Sequence, residues 1–150
     1  MSLARARGWI LPLLLAAALG AQTVRAWRRA EATHLVYEVE RRTLALARQE
    51  TPNDRELRRN LVLLDRAAPL FPSLVAIPIA RGSQFLLLGK PTEAIAAYQQ
   101  ALALEPRAET YFNLGRVYLE VGDRDAARHH FDLAVRATPR LKRDVRQLLR

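Results

Sequence analysis

Two stretches of the chain repeat each other at an offset of 33 residues. Gly82, Phe85, Gly89, Ala94, Tyr98, Ala101 and Pro106 recur as Gly115, Tyr118, Gly122, Ala127, Phe131, Ala134 and Pro139. Matching size and character at seven positions, with apolar residues at helical spacing, constrains the fold to stacked helix-turn-helix units. Each unit buries its apolar face only against its neighbours. The mode of action implied is the presentation of a groove to another protein.

Within the second unit, Phe112, Gly115, Tyr118 and Leu119 fall at spacings of three and four and stripe a first helix. Gly122 then supplies a left-handed C-terminal position and Asp123 a cap for the next helix. Ala126, Ala127, Phe131, Ala134 and Val135 stripe the second helix, which Pro139 limits. Gly115 and Ala127 are small where the two helices cross, and Tyr118 and Phe131 are expected to fill the space beside that crossing. The first unit follows the same logic, with Gly89 as its turn, Pro91 near a helix start, and Ala94, Tyr98 and Ala101 on one stripe.

This order of small residue, aromatic, glycine turn, alanine, aromatic, alanine and proline resembles the tetratricopeptide repeat (TPR). The resemblance covers about residues 75–141. The usual repeat is about one residue longer, and the missing residue falls in the Pro106-Arg107-Ala108 connection. Pro78 stands where the family has a large aromatic, so the first helix of that unit is expected to start late, near Pro78, or to kink there. The resemblance implies an all-α fold, a short TPR-type superhelical solenoid of stacked helical hairpins, and the uncharged run near the N-terminus adds a transmembrane or signal helix before it.

The expected organisation is a transmembrane or signal-anchor helix over 8–26, and a juxtamembrane helix with a degenerate hairpin over 27–74. Two repeats over 75–107 and 108–140 and a capping helix over 138–150 complete it. The degenerate unit rests on Leu64, Ala67 and Pro72, which lie 34 residues before Tyr98, Ala101 and Pro106. Thr51-Pro52-Asn53-Asp54 reads as a cap, a first-turn proline and a capping-box acid opening a helix through Leu61, Leu64 and Ala68. Thr138-Pro139 opens a final helix by the same grammar, with Leu141, Val145, Leu148 and Leu149 inward, and Ser73 reads as a helix cap.

From residue 8 to residue 24 no residue is charged. Arg5 and Arg7 precede this run, Arg25, Arg28 and Arg29 come after it, and Trp9 and Trp27 bracket it. Seventeen helical residues span roughly 25 Å, the short end for a hydrocarbon core of about 30 Å. Interfacial indoles and snorkelling arginines lengthen the effective span. The run continues without a breaker into helix-compatible sequence to about Arg48, which favours a retained anchor over a cleaved secretory signal. A short basic tail before an apolar core is the ordinary form of a segment that exports the remainder of its chain. The arginine bias (22 Arg against 2 Lys) and the alanine richness are those of a high-GC bacterial genome. The expected location is therefore a bacterial inner membrane, single-pass, with the repeats periplasmic. An exported periplasmic protein with its signal removed is the alternative.

Little in the chain speaks for catalysis. Without cysteine there is no disulfide, thiolate nucleophile or lipidated N-terminal cysteine. Ser2, Ser73 and Ser83 sit in no nucleophile elbow, and no glycine-rich phosphate loop remains once the repeat turns are assigned. His129 and His130 point about 100° apart on a helix and cannot share an ion; Asp125 with His129 makes half a metal site. Neither a cofactor nor a metal is expected, nor is enzymatic activity. The net charge of +9 is spread along the chain, and stacking aromatics are not interleaved with the basic residues, so nucleic acid is an unlikely partner. The C-terminal arginines suit a solvated helix end.

In TPR proteins the first helices of successive units line a concave face. By that resemblance the partner groove comprises Ile79, Ser83, Leu86, Phe112, Asn113, Arg116, Glu120, Lys142 and Arg146. Its mixed character implies a protein or peptide partner with apolar anchors and an acidic group. The expected role is a membrane-anchored adaptor that organises a bacterial envelope assembly.

Overall fold

In the computed structural model the backbone is described for residues 3–46, 48 and 53–149, and the side chains for the same residues from 13 onward. All regular structure among them is helical: α1 (Leu3–Leu46), α2 (Asp54–Ala67), α3 (Ala76–Leu87), α4 (Pro91–Leu104), α5 (Ala108–Glu120), α6 (Arg124–Ala137), a 3-10 turn (Pro139–Leu141) and α7 (Lys142–Leu148). Three helical hairpins, α1–α2, α3–α4 and α5–α6, stack in chain order and α7 closes the last.

The repeat glycines end α3 and α5 in the same way. Gly89 and Gly122 adopt φ of 65° and 85°, a left-handed conformation open to a residue without Cβ. Lys90 N–H then reaches Phe85 C=O at 2.9 Å and Gly89 N–H reaches Leu86 C=O at 3.0 Å. Asp123 and Gly122 repeat these bonds to Tyr118 and Leu119. Both are Schellman closures, which satisfy carbonyls that a bare helix end leaves orphaned. Asp123 starts the following helix as expected, its carboxylate accepting from Ala126 N–H at 3.0 Å.

At the hairpin crossings each glycine seats a ring. A Cβ on Gly82 would lie 2.8 Å from the Tyr98 ring, and one on Gly115 would lie 2.7 Å from the Phe131 ring. Tyr98 and Phe131 are enclosed, each burial being worth roughly 1.5–3 kcal/mol. Phe131 thus fills its crossing as expected. Tyr118, half-buried, packs beside it against the Ala127–Phe131 cluster while its ring stacks on His130, ring centres 5.2 Å apart and planes 1° from parallel.

Burial is organised as three neighbouring clusters. Ala32, Leu35, Val36, Val39, Leu64, Ala67, Ile77 and Ala80 join α1, α2 and α3. Ala94, Tyr98, Leu114 and Val117 join α4 to α5, with Ile79 and Phe85 of α3 against them. Ala127, Phe131 and Val145 join α6 to α7, with Phe112 of α5 packed alongside. Apolar surface is buried between successive elements, as in a solenoid.

Several local expectations are corrected. α2 is capped by Asn53, whose side chain accepts from Arg55 N–H at 2.9 Å; Thr51 and Pro52 lie outside the described residues. Ser73 caps no helix, because α3 begins at Ala76 behind Val75 without a side-chain cap. That start puts Pro78 in the first turn, where a missing N–H costs nothing. Thr138 precedes the 3-10 turn without a capping bond, and Leu148 stays exposed while Val145 alone in α7 is buried.

α1 is 44 residues long, about 66 Å. The side chains of residues 13–30 are all largely exposed, and the first buried one is Ala32. The helix expected over 8–26 is the first part of α1, yet among the described residues no helix is long and apolar enough to cross a membrane. The apolar portion with described side chains, 13–24, extends only about 18 Å against a hydrocarbon core of about 30 Å. The first residues of the uncharged run, 8–12, lie outside those whose side chains are described.

Candidate functional site in the concave groove

The first helices of the three hairpins, α1, α3 and α5, line one face of the stack. An open hollow of about 460 Å³ crosses all three. α1 contributes Glu40, Thr43 and Leu44, α3 contributes Ile79, Ala80, Ser83 and Gln84, and α5 contributes Glu109 and Asn113. A second, shallower hollow of about 230 Å³ lies between α3, α5 and α7, bounded by Leu86, Arg116, Leu119, Glu120 and Leu148.

The residues expected to line the groove divide between these places. Ile79, Ser83 and Asn113 meet in the larger hollow, and Leu86, Arg116 and Glu120 meet in the smaller one. Phe112 is half-buried, its ring 5.6 Å from that of Phe131, so much of it supports the third cluster. Lys142 and Arg146 are exposed on α7 and border neither hollow; Arg146 Nε leans back to the Lys142 carbonyl at 3.4 Å.

Side chains that repeat-based reasoning overlooked give the larger hollow its chemistry. Gln84, almost fully enclosed, forms part of its floor. Its Nε2 donates to Thr43 Oγ1 at 2.7 Å, and its Oε1 accepts from the buried Asn60 Nδ2 at 3.1 Å. Thr43 in turn donates to Val39 C=O at 2.7 Å. A chain of hydrogen bonds therefore ties α2, α3 and α1 together beneath the groove and fixes its floor. The sequence carried a sign of this, since Asn60 stands between Leu57 and Leu64 on the buried stripe of α2. Ser83 shares a hydrogen bond of 3.1 Å with the Tyr98 hydroxyl, and burial raises the Tyr98 pKa above its ordinary value.

Electrostatically the larger hollow is acidic, although the molecule is basic. Burial against the groove walls, then the charge of Glu109, raises the Glu40 carboxyl above its ordinary pKa. Elsewhere the described carboxylates commonly meet arginines, as in Glu38 with Arg42 at 2.8 Å and Asp65 with Arg81 at 2.6 Å. On the outer side of the last hairpin, His130 stacks on Tyr118 with Nδ1 buried and unpartnered. Burial, and secondarily His129, lowers its pKa. Among the described residues no three His, Asp or Glu side chains gather to hold a metal ion.

The comparisons with known proteins agree with this architecture. A family model described as "TPR repeat" matches residues 82–122, and one described as "Tetratricopeptide repeat" matches residues 108–141. Among solved structures, the chain is similar to a thermophilic TPR protein of Thermus thermophilus. That similarity has 26% identity and a TM-score of 0.63 over 88% of this chain and 68% of the other. No curated protein matches the chain in sequence.

Proposed function

Since residues 82–141 carry tetratricopeptide repeats, a repeat that implies a protein-interaction role, we propose that the concave groove binds a polypeptide segment of a partner protein. The observation that carries this reading is the open hollow across α1, α3 and α5, floored by a fixed hydrogen-bond chain. A rigid floor lowers the ordering cost of binding, and a lining part apolar and part hydrogen-bonding suits an extended or helical peptide. The test is site-specific photo-crosslinking in the native host. A benzophenone amino acid at Asn113 should trap a discrete protein that the same probe at the exposed Gln100 of α4 does not. Identical products from both positions would refute groove binding.

The second part of the proposal is tethering. The N-terminal part of α1 anchors the protein at a bacterial inner membrane, with the repeats on the periplasmic side, so that it organises partners of an envelope assembly at that surface. Supporting this are the uncharged run of residues 8–24 and the exposure of Leu13, Leu14, Leu15, Leu19 and Val24 around α1. Exposed Trp27 and the arginines at 25, 28 and 29 come next, at the position of an interface. Arg25 and Arg29 also approach the Phe71 ring at 6.0 and 5.6 Å, which holds α1 against the α2–α3 loop at that level. Tethering would raise the local concentration of whatever the groove holds.

A further inference from the structure

The larger hollow brings together two carboxylates with no cationic side chain among its lining residues. The protein has 24 basic residues against 15 acidic ones. Even so, Glu40 and Glu109 face the same hollow, and neither forms an ion pair among the described residues. Arg107, two positions before Glu109, makes its ion pair with Glu105 at 2.7 Å and reaches Glu109 only by longer-range attraction. Glu38, one turn before Arg42 on α1, collects both Arg41 and Arg42, at 3.1 and 2.8 Å, and leaves Glu40 without either. Two like charges at one site repel, and the cost is relieved when a cation arrives between them.

We infer that the hollow receives a lysine or arginine side chain of the bound segment, held between the carboxylates of Glu40 on α1 and Glu109 on α5. The inference rests on the groove reading above and specifies the chemistry of its occupant. It replaces the acidic group expected from the repeat pattern with a basic one, because that pattern drew attention to Arg116 and Arg146 and not to the α1 contribution. Asn113 makes no described side-chain hydrogen bond, so its carboxamide is free to hold a peptide group of the same segment. Apolar Leu44, Ile79 and Ala80 complete the hollow and suit the aliphatic stem of a long cationic side chain. A bare metal ion fits less well, since no third carboxylate or imidazole joins the pair among the described residues.

The probe is a set of fluorescent nonapeptide pools, degenerate except for a central Arg, Lys, Gln or Glu, presented to the full chain in detergent at roughly 0.3 M salt. That ionic strength screens the general positive charge of the protein beyond several ångströms. The Arg and Lys pools should be retained on the order of tenfold better than the Glu pool, the range of a charge-assisted hydrogen bond. The double substitution Glu40→Gln/Glu109→Gln should abolish that preference, and Glu93→Gln on α4 should leave it intact. Preference for the Glu pool, or a cation preference that survives the double substitution, would overturn the inference and leave groove binding standing. Absence of retention from every pool would overturn both. Sedimentation of the chain alone provides the remaining arm: self-association abolished by the double substitution would make the occupant a second copy of this chain, and so overturn the assignment to a partner.

Discussion

Gly82 and Gly115 show how a single absent methyl group sets a hairpin crossing. Alanine at either position gains about 1 kcal/mol of helix propensity. Its Cβ, however, would enter a fully enclosed ring at 2.8 or 2.7 Å, and overpacking of this kind costs about 1–3 kcal/mol. We expect Gly115→Ala to lower the unfolding free energy in urea titrations, with Phe131→Leu in the same chain recovering part of the loss. Gly20→Ala, where nothing lies within 4 Å, should cause no loss. His130 is the other residue whose environment has a measurable consequence. Its pKa is lowered in the fold, by burial first and His129 second, so the folded state favours the neutral ring. The associated stability is complete above the unfolded value of about 6.5 and is lost as pH falls through the lower folded value. Thermal unfolding between about pH 7 and pH 5 should therefore show destabilisation that His130→Phe removes, since phenylalanine keeps the stacking on Tyr118 and cannot titrate. An unchanged pH profile in the variant would assign the effect elsewhere. At this scale the sequence was informative about size and silent about aim. It identified Phe131 and Tyr118 as fillers, but only packing encloses Phe131 fully and leaves Tyr118 half-buried beside it, with its ring stacked on His130.

At the scale of the element, helix ends follow local chemistry where the chain supplies it. Gly89 and Gly122 are legible because left-handed backbone is open to glycine, and Asp123 because a short carboxylate reaches the next N–H groups. Gly122→Ala should cost about 1 kcal/mol or more through backbone strain, and Asp123→Ala about 1 kcal/mol through the lost cap. Circular dichroism melts of the two single variants test this, and two melting curves equal to the parent would remove both assignments. Ser73 and Thr138 look like equally good caps in sequence and make no capping bond. At those boundaries the entry path of the chain is dictated by packing of Phe71, Leu74 and Ile77 on one side and Val145 on the other.

For the molecule as a whole, each cluster of buried residues is shared by successive elements, so stability is expected to decline in steps when elements are removed from an end. Among the described residues, exposed large apolar side chains concentrate on the N-terminal part of α1, at Leu13, Leu14, Leu15, Leu19, Val24 and Trp27. If it tethers the protein in a membrane, carbonate washing of host membranes should leave the protein in the pellet, and Leu15→Arg with Leu19→Arg should shift it to the supernatant. Each charge costs about 2.5–3.5 kcal/mol at the centre of a membrane helix. Recovery of the unsubstituted protein in the carbonate supernatant would end the tethering proposal.

The repeat spacing alone determined that the chain stacks helical hairpins and where two of them turn, and the resemblance those residues carry implied a concave face of first helices. Those features follow from interactions within about four residues along a helix and from glycine backbone freedom, which any reader of the chain can apply locally. Tertiary structure decided what that face is made of. Glu40, Thr43, Gln84 and Glu109 come from three helices, and the buried Asn60–Gln84–Thr43 chain joins residues as far as 41 positions apart. Charge at a groove is a sum over side chains that meet only after packing, so no stretch of sequence contains it.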